Sequence, residues 1–198
     1  MDANAIFTLS YGLYLLSVND GARDNACIIN TAMQITDQPL RLTLGVNKAN
    51  HTASILDETG VFALSVLSQD AGMDLFRHFG FQSGREVDKF ASRNDPRASN
   101  GLRYLDTACC AVLCGKVRSV MDCGTHQLYL ADVTDMKALA SAPPMTYAYY
   151  HSNVKPRRPA PSRGYTCRIC GYHYDGDVLP PDFICPICKH GAEAFQRD

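Results

Sequence analysis

Four cysteines near the end of the chain have the spacing that most directly specifies chemistry. Cys167-Arg168-Ile169-Cys170 and Cys185-Pro186-Ile187-Cys188 are two C-x-x-C pairs separated by 14 residues. Each pair can present two thiolates to one metal ion from a tight turn, and two such turns close a tetrahedron. Tetrahedral sulfur holds zinc or iron, and spacing does not choose between them. The tail around these pairs is too short to fold on a hydrophobic core alone, so a metal staple suits its size. A second feature is Asn47-Lys48-Ala49-Asn50-His51-Thr52, a lysine, amides and a hydroxyl where a helix is expected to begin. Unpaired amides and the helix dipole make such an end an anion site. An ordinary capped helix with a surface lysine is the plainer alternative.

Other chemistries have no foothold. The chain has no G-x-G-x-x-G, P-loop or G-x-S-x-G, and its six histidines never fall into H-E-x-x-H. A net charge of −1 gives no electrostatic case for nucleic acid or anionic membrane. No apolar run has the length of a membrane span. The acidic start, Met1-Asp2-Ala3-Asn4, argues against a signal peptide. Four of the nine cysteines are assigned to metal. Cys27, Cys109, Cys110, Cys114 and Cys123 form an odd set in apolar strand context, expected to be buried thiols in a reducing cytoplasm.

The residues flanking the ligands carry a resemblance. Tyr165-Thr166-Cys167-Arg168-Ile169-Cys170-Gly171-Tyr172 with Leu179-Pro180-Pro181-Asp182-Phe183-Ile184-Cys185-Pro186-Ile187-Cys188 resembles rubredoxin, including Tyr174 and Phe195. That family holds one iron in four cysteines and passes single electrons. Two departures stand out: the loop between the pairs is short, and Lys189 follows the last ligand where many rubredoxins have glycine. Tyr165, Tyr172, Tyr174, Phe183 and Phe195 are expected to form a small aromatic core.

Residues 4–151 resemble the FMN-binding split-barrel flavin reductases. The likeness lies in Asn25–Thr36, in Val46-Asn47-Lys48-Ala49-Asn50-His51-Thr52, in Phe79–Phe90 and in Gly124-Thr125-His126-Gln127-Leu128-Tyr129. It implies a six-stranded Greek-key barrel that dimerises, with FMN near the dimer interface. Asn30, Thr31, Ala32, Met33 and Gln34 would run along the flavin ring, offering backbone amides to its edge. Asn47, Lys48, Asn50, His51 and Thr52 would hold the phosphate. His126 would stand on the nicotinamide-facing side as the catalytic candidate; a satisfied strand histidine is the alternative. Arg85 and Lys89 would meet a flavin or pyridine-nucleotide phosphate, or else lie on a solvated face.

Together the two likenesses imply an electron relay. A nicotinamide gives up a hydride, a four-cysteine iron takes one electron, and a flavin converts between them. NAD(P)H, directly or through an upstream reductase, would reduce FMN, and the iron would serve an external acceptor. By family analogy that acceptor is a flavodiiron protein reducing oxygen or nitric oxide. An NAD(P)H:flavin reductase with a structural zinc appendage, and a redox-sensing binding module, remain as alternatives.

The elements that must position these residues follow from pattern. The expected fold is mainly β, a split barrel with short helices plus a small C-terminal metal domain. Its parts are residues 1–151, a Pro/Arg-rich extended linker over 152–163, and residues 164–198. Strands are expected at Leu13–Val18, Asn25–Thr36, Leu40–Val46, Val61–Leu67, Leu102–Leu105, Ala108–Met121 and Gly124–Val133. Helices are expected at His51–Thr59, bounded by Asn50 and Gly60, and at Ala71–Phe79. Residues 80–103 read as a long excursion whose length implies function or mobility.

Overall fold

The apolar/polar alternation of Leu40–Val46 is realised in strand β4 (Leu40–Asn47), which buries Leu42, Leu44 and Val46 and leaves the residues between them half-exposed. The computed structural model describes residues 3–156 and 163–198. The chain divides into two units, Met1–His151 and Ser152–Asp198. The other strands of the first unit are β1 (Tyr14–Asn19), β2 (Asp24–Ile29), β3 (Thr31–Asp37), β5 (Val61–Leu67), β6 (Cys109–Asp122) and β7 (His126–Ala138). All pairings are antiparallel, in the order β2-β1-β5-β6-β7-β4-β3. The two edge strands, β2 and β3, are consecutive in sequence and separated only by Asn30. The sheet must therefore curl until its edges lie one residue apart. The expected single strand Asn25–Thr36 is in fact broken at Asn30, because its first half pairs with β1 and its second with β4. Counted as one bent strand, β2 and β3 complete a six-stranded split barrel.

The barrel closes around Leu16, Leu44, Phe62, Leu64 and Tyr129. Phe62 is fully buried, and a Cβ on Gly115 of the neighbouring strand would stand 2.2 Å from its ring, so only glycine fits there. Helix α1 (His51–Thr59) adds Ala53, Ile55 and Leu56 to this core and ends at Gly60 in the left-handed region, φ 65°. Asn50 precedes the helix but makes no side-chain cap, contrary to expectation. Helix α2 spans Met73–Gly80 and buries Phe76 and Phe79.

Residues 81–108 form neither helix nor strand, yet they are fastened. Lys89 donates to Ala26 O and Phe79 O, both at 2.8 Å. Arg97 and Arg103 both pair with Asp24. The expected strand Leu102–Leu105 reduces to one bridge between Arg97 and Arg103. Side chains replace the ladder: Ser65 Oγ accepts from Leu105 N at 3.1 Å, and Asn100 Nδ2 donates to Phe62 O at 2.9 Å.

Two further expectations are corrected. Residues Tyr147–Tyr149 form a helical turn, α3, started by Thr146, whose hydroxyl accepts from Tyr149 N. It continues as a π turn over Tyr150–Val154, so the linker does not become extended at residue 152. No proline stands between Pro144 and Pro156. Arg157, Arg158, Pro159 and Pro161 lie outside the described residues. Cys123 is exposed in the β6–β7 hairpin, and Cys110 is only half-buried. No helix among the described residues is long and apolar enough to cross a membrane.

The second unit holds three short strands, β8 (Tyr165–Cys167), β9 (His173–Tyr174) and β10 (Phe195–Arg197), in the order β10-β8-β9. Phe183 packs on Tyr174 and Phe195 with ring centroids 4.8 and 5.3 Å apart, and Tyr172 lies beside both phenylalanines. Tyr165 is not in this cluster; its hydroxyl donates to Asp177 O.

Candidate metal centre and flavin site

The four cysteine sulfurs lie within 4.8 Å of one another. Sγ of Cys167 is 3.6 Å from that of Cys188, and Cys170 is 3.4 Å from Cys185. A tetrahedron of ~2.3 Å metal–sulfur bonds has edges of roughly 3.8 Å, so the donor set fits one ion. Two matching turns build it. Gly171 N donates to Cys167 O and Lys189 N to Cys185 O, each at 2.9 Å. Gly171 and Lys189 both take left-handed backbone, φ 81° and 61°. A lysine there carries strain that glycine would not. The departure at Lys189 thus falls where the turn itself demands a positive φ.

Without an ion these thiols are in conflict. Burial pushes the Cys170 thiol up to about 12, and burial also raises Cys188. Cys185 is lowered despite its burial, because the backbone N–H groups of Cys188 and Ile187 donate to it. Sulfurs this close cannot all carry charge unless a cation neutralises them.

The flavin candidates lie on the outer side of the barrel. Register sets Thr31 opposite Gly45, and Gly45 opposite Leu128. It also sets Asn47 directly opposite His126. Residues distant in sequence are thus brought onto neighbouring strands at one end of the sheet. A Cβ on Gly45 would stand 3.0 Å from Thr31 Cβ, so glycine there lets Thr31 pack down onto β4. Strand β3 pairs only with β4, which leaves its other backbone edge open to a ligand. Behind β3 lies a cavity of about 360 Å³ lined by Ala32, Met33, Gln34, Arg41, Leu42 and Met136, among others. That size suits an aromatic ring system.

Asn47 Oδ1 accepts from Ala49 N at 2.9 Å and shapes the turn into α1. Ala53 N donates to Asn50 O at 3.0 Å, and with no side-chain cap the amides of His51 and Thr52 remain available. Arg85 reaches across from the excursion, donating to Ala49 O at 3.0 Å and Ser54 Oγ at 3.2 Å. Its guanidinium adds a positive charge beside this helix end. His51 Nδ1 is buried without a hydrogen-bond partner among the described residues. Burial, then the charge of Arg85, lowers the His51 pKa and keeps the ring neutral. Open amides and two cations are a donor set that fits a phosphate.

Other candidates are turned elsewhere. Thr52 is buried and accepts from Asn25 Nδ2 at 2.9 Å, so its hydroxyl faces the interior and only its backbone amide remains for a phosphate. Lys89 is buried, and its ammonium donates to the Ala26 and Phe79 carbonyls. Lys48 donates to Asp122 at 2.6 Å, so an anion there would compete with a carboxylate. His126 is exposed, with Nδ1 2.9 Å from Thr125 Oγ1. Arg41, in the cavity wall, was absent from the expected set. Its alternation with Leu42 on β4 was the available signal, but register alone shows it opposite Asp132, which it shares with Arg118.

A curled antiparallel sheet with an open edge strand, joined to a four-sulfur cluster, defines a flavin-binding barrel carrying a rubredoxin-type centre. The chain belongs to the flavin reductase-like family: the family model described as "Flavin reductase like domain" matches residues 6–157. A second, "Rubrerythrin, rubredoxin-like domain", matches residues 165–196. Over its whole length the chain is 37% identical to High molecular weight rubredoxin of Moorella thermoacetica, covering 100% of both chains. It is 33% identical to Ferric-chelate reductase (NAD(P)H) of Archaeoglobus fulgidus, over 80% of this chain and 94% of that protein. The fold matches NADH:FAD oxidoreductase of Streptomyces globisporus, solved with NAD and FAD fragments. There the TM-score is 0.63 at 21% identity, over 79% of this chain and 90% of that one.

Proposed function

We infer that the protein is an electron-transfer flavo-rubredoxin in which FMN takes electrons from NAD(P)H, directly or through a reductase. They then pass singly to an iron held by Cys167, Cys170, Cys185 and Cys188. One observation carries this reading: a flavin reductase-like barrel and a four-sulfur cluster share one polypeptide, and that polypeptide aligns over its whole length with a relative named High molecular weight rubredoxin. The flavin supplies the exchange between paired and single electrons, and the iron supplies one-electron transfer.

This chain's own residues would bind and orient. Lys48, Arg85 and the first amides of α1 neutralise the phosphate, and the open edge of β3 meets the polar rim of the ring. Met33, Leu42 and Met136 line the cavity and offer the ring apolar contact. The NAD(P)H donor is supported by the name of the Archaeoglobus relative. Met33, Ile35, Val120, Met121 and Met136 are large apolar residues exposed on the barrel, which supports a homodimer that covers them. A reducing compartment such as the cytoplasm keeps the four thiols free for metal. A flavodiiron protein is the acceptor we favour.

A second reading, an NAD(P)H:flavin reductase with a zinc-bound tail, is favoured by the sulfur geometry itself, which suits zinc equally well. The deciding experiment measures metal and extracted flavin in the purified protein, then follows anaerobic mixing with NADH by absorbance. Iron, FMN and flavin bleaching followed by loss of the ferric thiolate bands are expected. A colourless zinc tail, or FAD in place of FMN, overturns the corresponding part. No bleaching, with or without a reductase, leaves a sensing or binding role.

A further inference from the structure

Lys155 precedes the segment that joins the two matched domains, and its side chain lies on the first ligand loop. Nζ donates to Ile169 O at 3.1 Å, and Ile169 immediately precedes the ligand Cys170. On the other side of that ligand, a Cβ added at Gly171 would stand 3.8 Å from Lys155 Cε. The lysine therefore spans the residues on either side of Cys170, and it is only half-exposed. Lys155 belongs to a basic stretch of sequence, with Arg157, Arg158 and Arg163, but the tail whose ligand loop it touches is acidic: residues 164–198 hold three Lys or Arg against five Asp or Glu. Of those three cations, Arg168 is committed to Glu193 O at 2.9 Å, while Lys189 and Arg197 are exposed.

We propose that Lys155 is a positioning residue that sets the midpoint potential of the iron by holding a fixed positive charge against the ligand loop. Ferric iron in four thiolates carries one net negative charge, and the ferrous form carries two. A cation fixed nearby stabilises the second more than the first, so it raises the potential and eases delivery of an electron from the flavin. The balance is one electron in, with no bond made or broken. This rests on the reading that the tail holds iron.

The test is spectroelectrochemical titration of the full chain refolded with ferrous iron, comparing wild type with Lys155→Gln, Lys155→Met and Lys155→Arg. At a fixed ambient potential, the Gln and Met variants should lower the ferrous-to-ferric ratio about threefold, which is about 28 mV at ~59 mV per tenfold for a one-electron couple. The Arg variant should match wild type, and the difference should shrink with added salt as exposed charge is screened. An unchanged potential in Lys155→Gln, or an equal shift in Lys155→Arg, or a shift indifferent to salt, overturns the proposal. The readout is independent of activity. Zinc in the protein as isolated would defeat the electron-transfer reading without altering what these titrations decide about Lys155.

Discussion

In the barrel, the core and the charged residues of the candidate site are different residues; in the metal unit the core and the candidate ligands are the same. Phe62, Leu64 and Tyr129 fill the barrel, while Lys48, Arg85 and His126 lie on its outside. In the second unit the tightly packed cluster consists of all four cysteines with Ala194, Tyr172, Ile187 and Phe195. A fully buried aromatic or aliphatic side chain contributes ~1.5–3 kcal/mol, and the barrel has many. The metal unit has few, so its ion is its fold. The strongest way to break this contrast is Cys185→Ser. Residues 163–198 should lose their ordered amide resonances and fast-exchange protection entirely, since a structural metal in a small domain supplies on the order of 10 kcal/mol. The barrel should keep its melting temperature and its flavin. A folded tail without the ligand, or a barrel that melts earlier, would mean that the two regions are not held as described.

Acid offers a second contrast, smaller and confined to the barrel. The Asp24 side chain is 8% exposed and takes hydrogen bonds from Arg97, Arg103 and Asn19, pinning the excursion to β2. Burial alone would raise its pKa, but the bonds from Arg97, Asn19 and Arg103 outweigh it and the net direction is down. A folded pKa below the unfolded value contributes stability above pH ~4, and that stability is lost as pH falls through the folded value. Asp24→Asn should therefore cost about 2 kcal/mol at neutral pH. That is less than a fully buried pair because both arginines remain partly exposed. Urea unfolding from pH 7 to 3 checks the sign: the gap between wild type and variant should close below pH 4. A gap constant across that range would remove the ion cluster from the account.

The same contrast explains what could be read from sequence. The ligands fall in two short motifs, so local spacing reveals them before any fold is known. Helix α1 is equally local: Asn50 and Gly60 bound it, and it runs between them. The flavin face is assembled by pairing, and pairing is not written locally. Nothing at Asn30, neither glycine nor proline, marks where one strand becomes two. Nor does residue type report burial. Thr52 and Lys89 are polar and stand in matched motifs, yet both are buried and hydrogen-bonded. Arg85 was legible as a basic residue of the excursion, but its place over the start of α1 came only with the fold.

The smallest expected effect tests whether the outer site is separable from the core. Lys48 and Asp122 are bonded at 2.6 Å with side chains 37% and 70% exposed, so the pair itself contributes little to folding. A bound phosphate and Asp122 compete for the same ammonium. Lys48→Glu places a negative charge beside the helix end and should weaken FMN binding about tenfold in low salt. Asp122→Asn frees the lysine and should tighten binding by about two- to threefold, with the effect fading as salt screens exposed charge. Flavin-fluorescence titration measures both, and thermal melts should show neither variant shifting the barrel. If Lys48→Glu binds FMN as wild type does, the phosphate is held by Arg85 and the α1 amides without it. If Asp122→Asn also leaves affinity unchanged, then the carboxylate and the phosphate do not share the lysine. Opposite signs from two substitutions at one salt bridge are what distinguish a phosphate site from an ordinary surface pair, since a purely structural bridge would make both changes act alike.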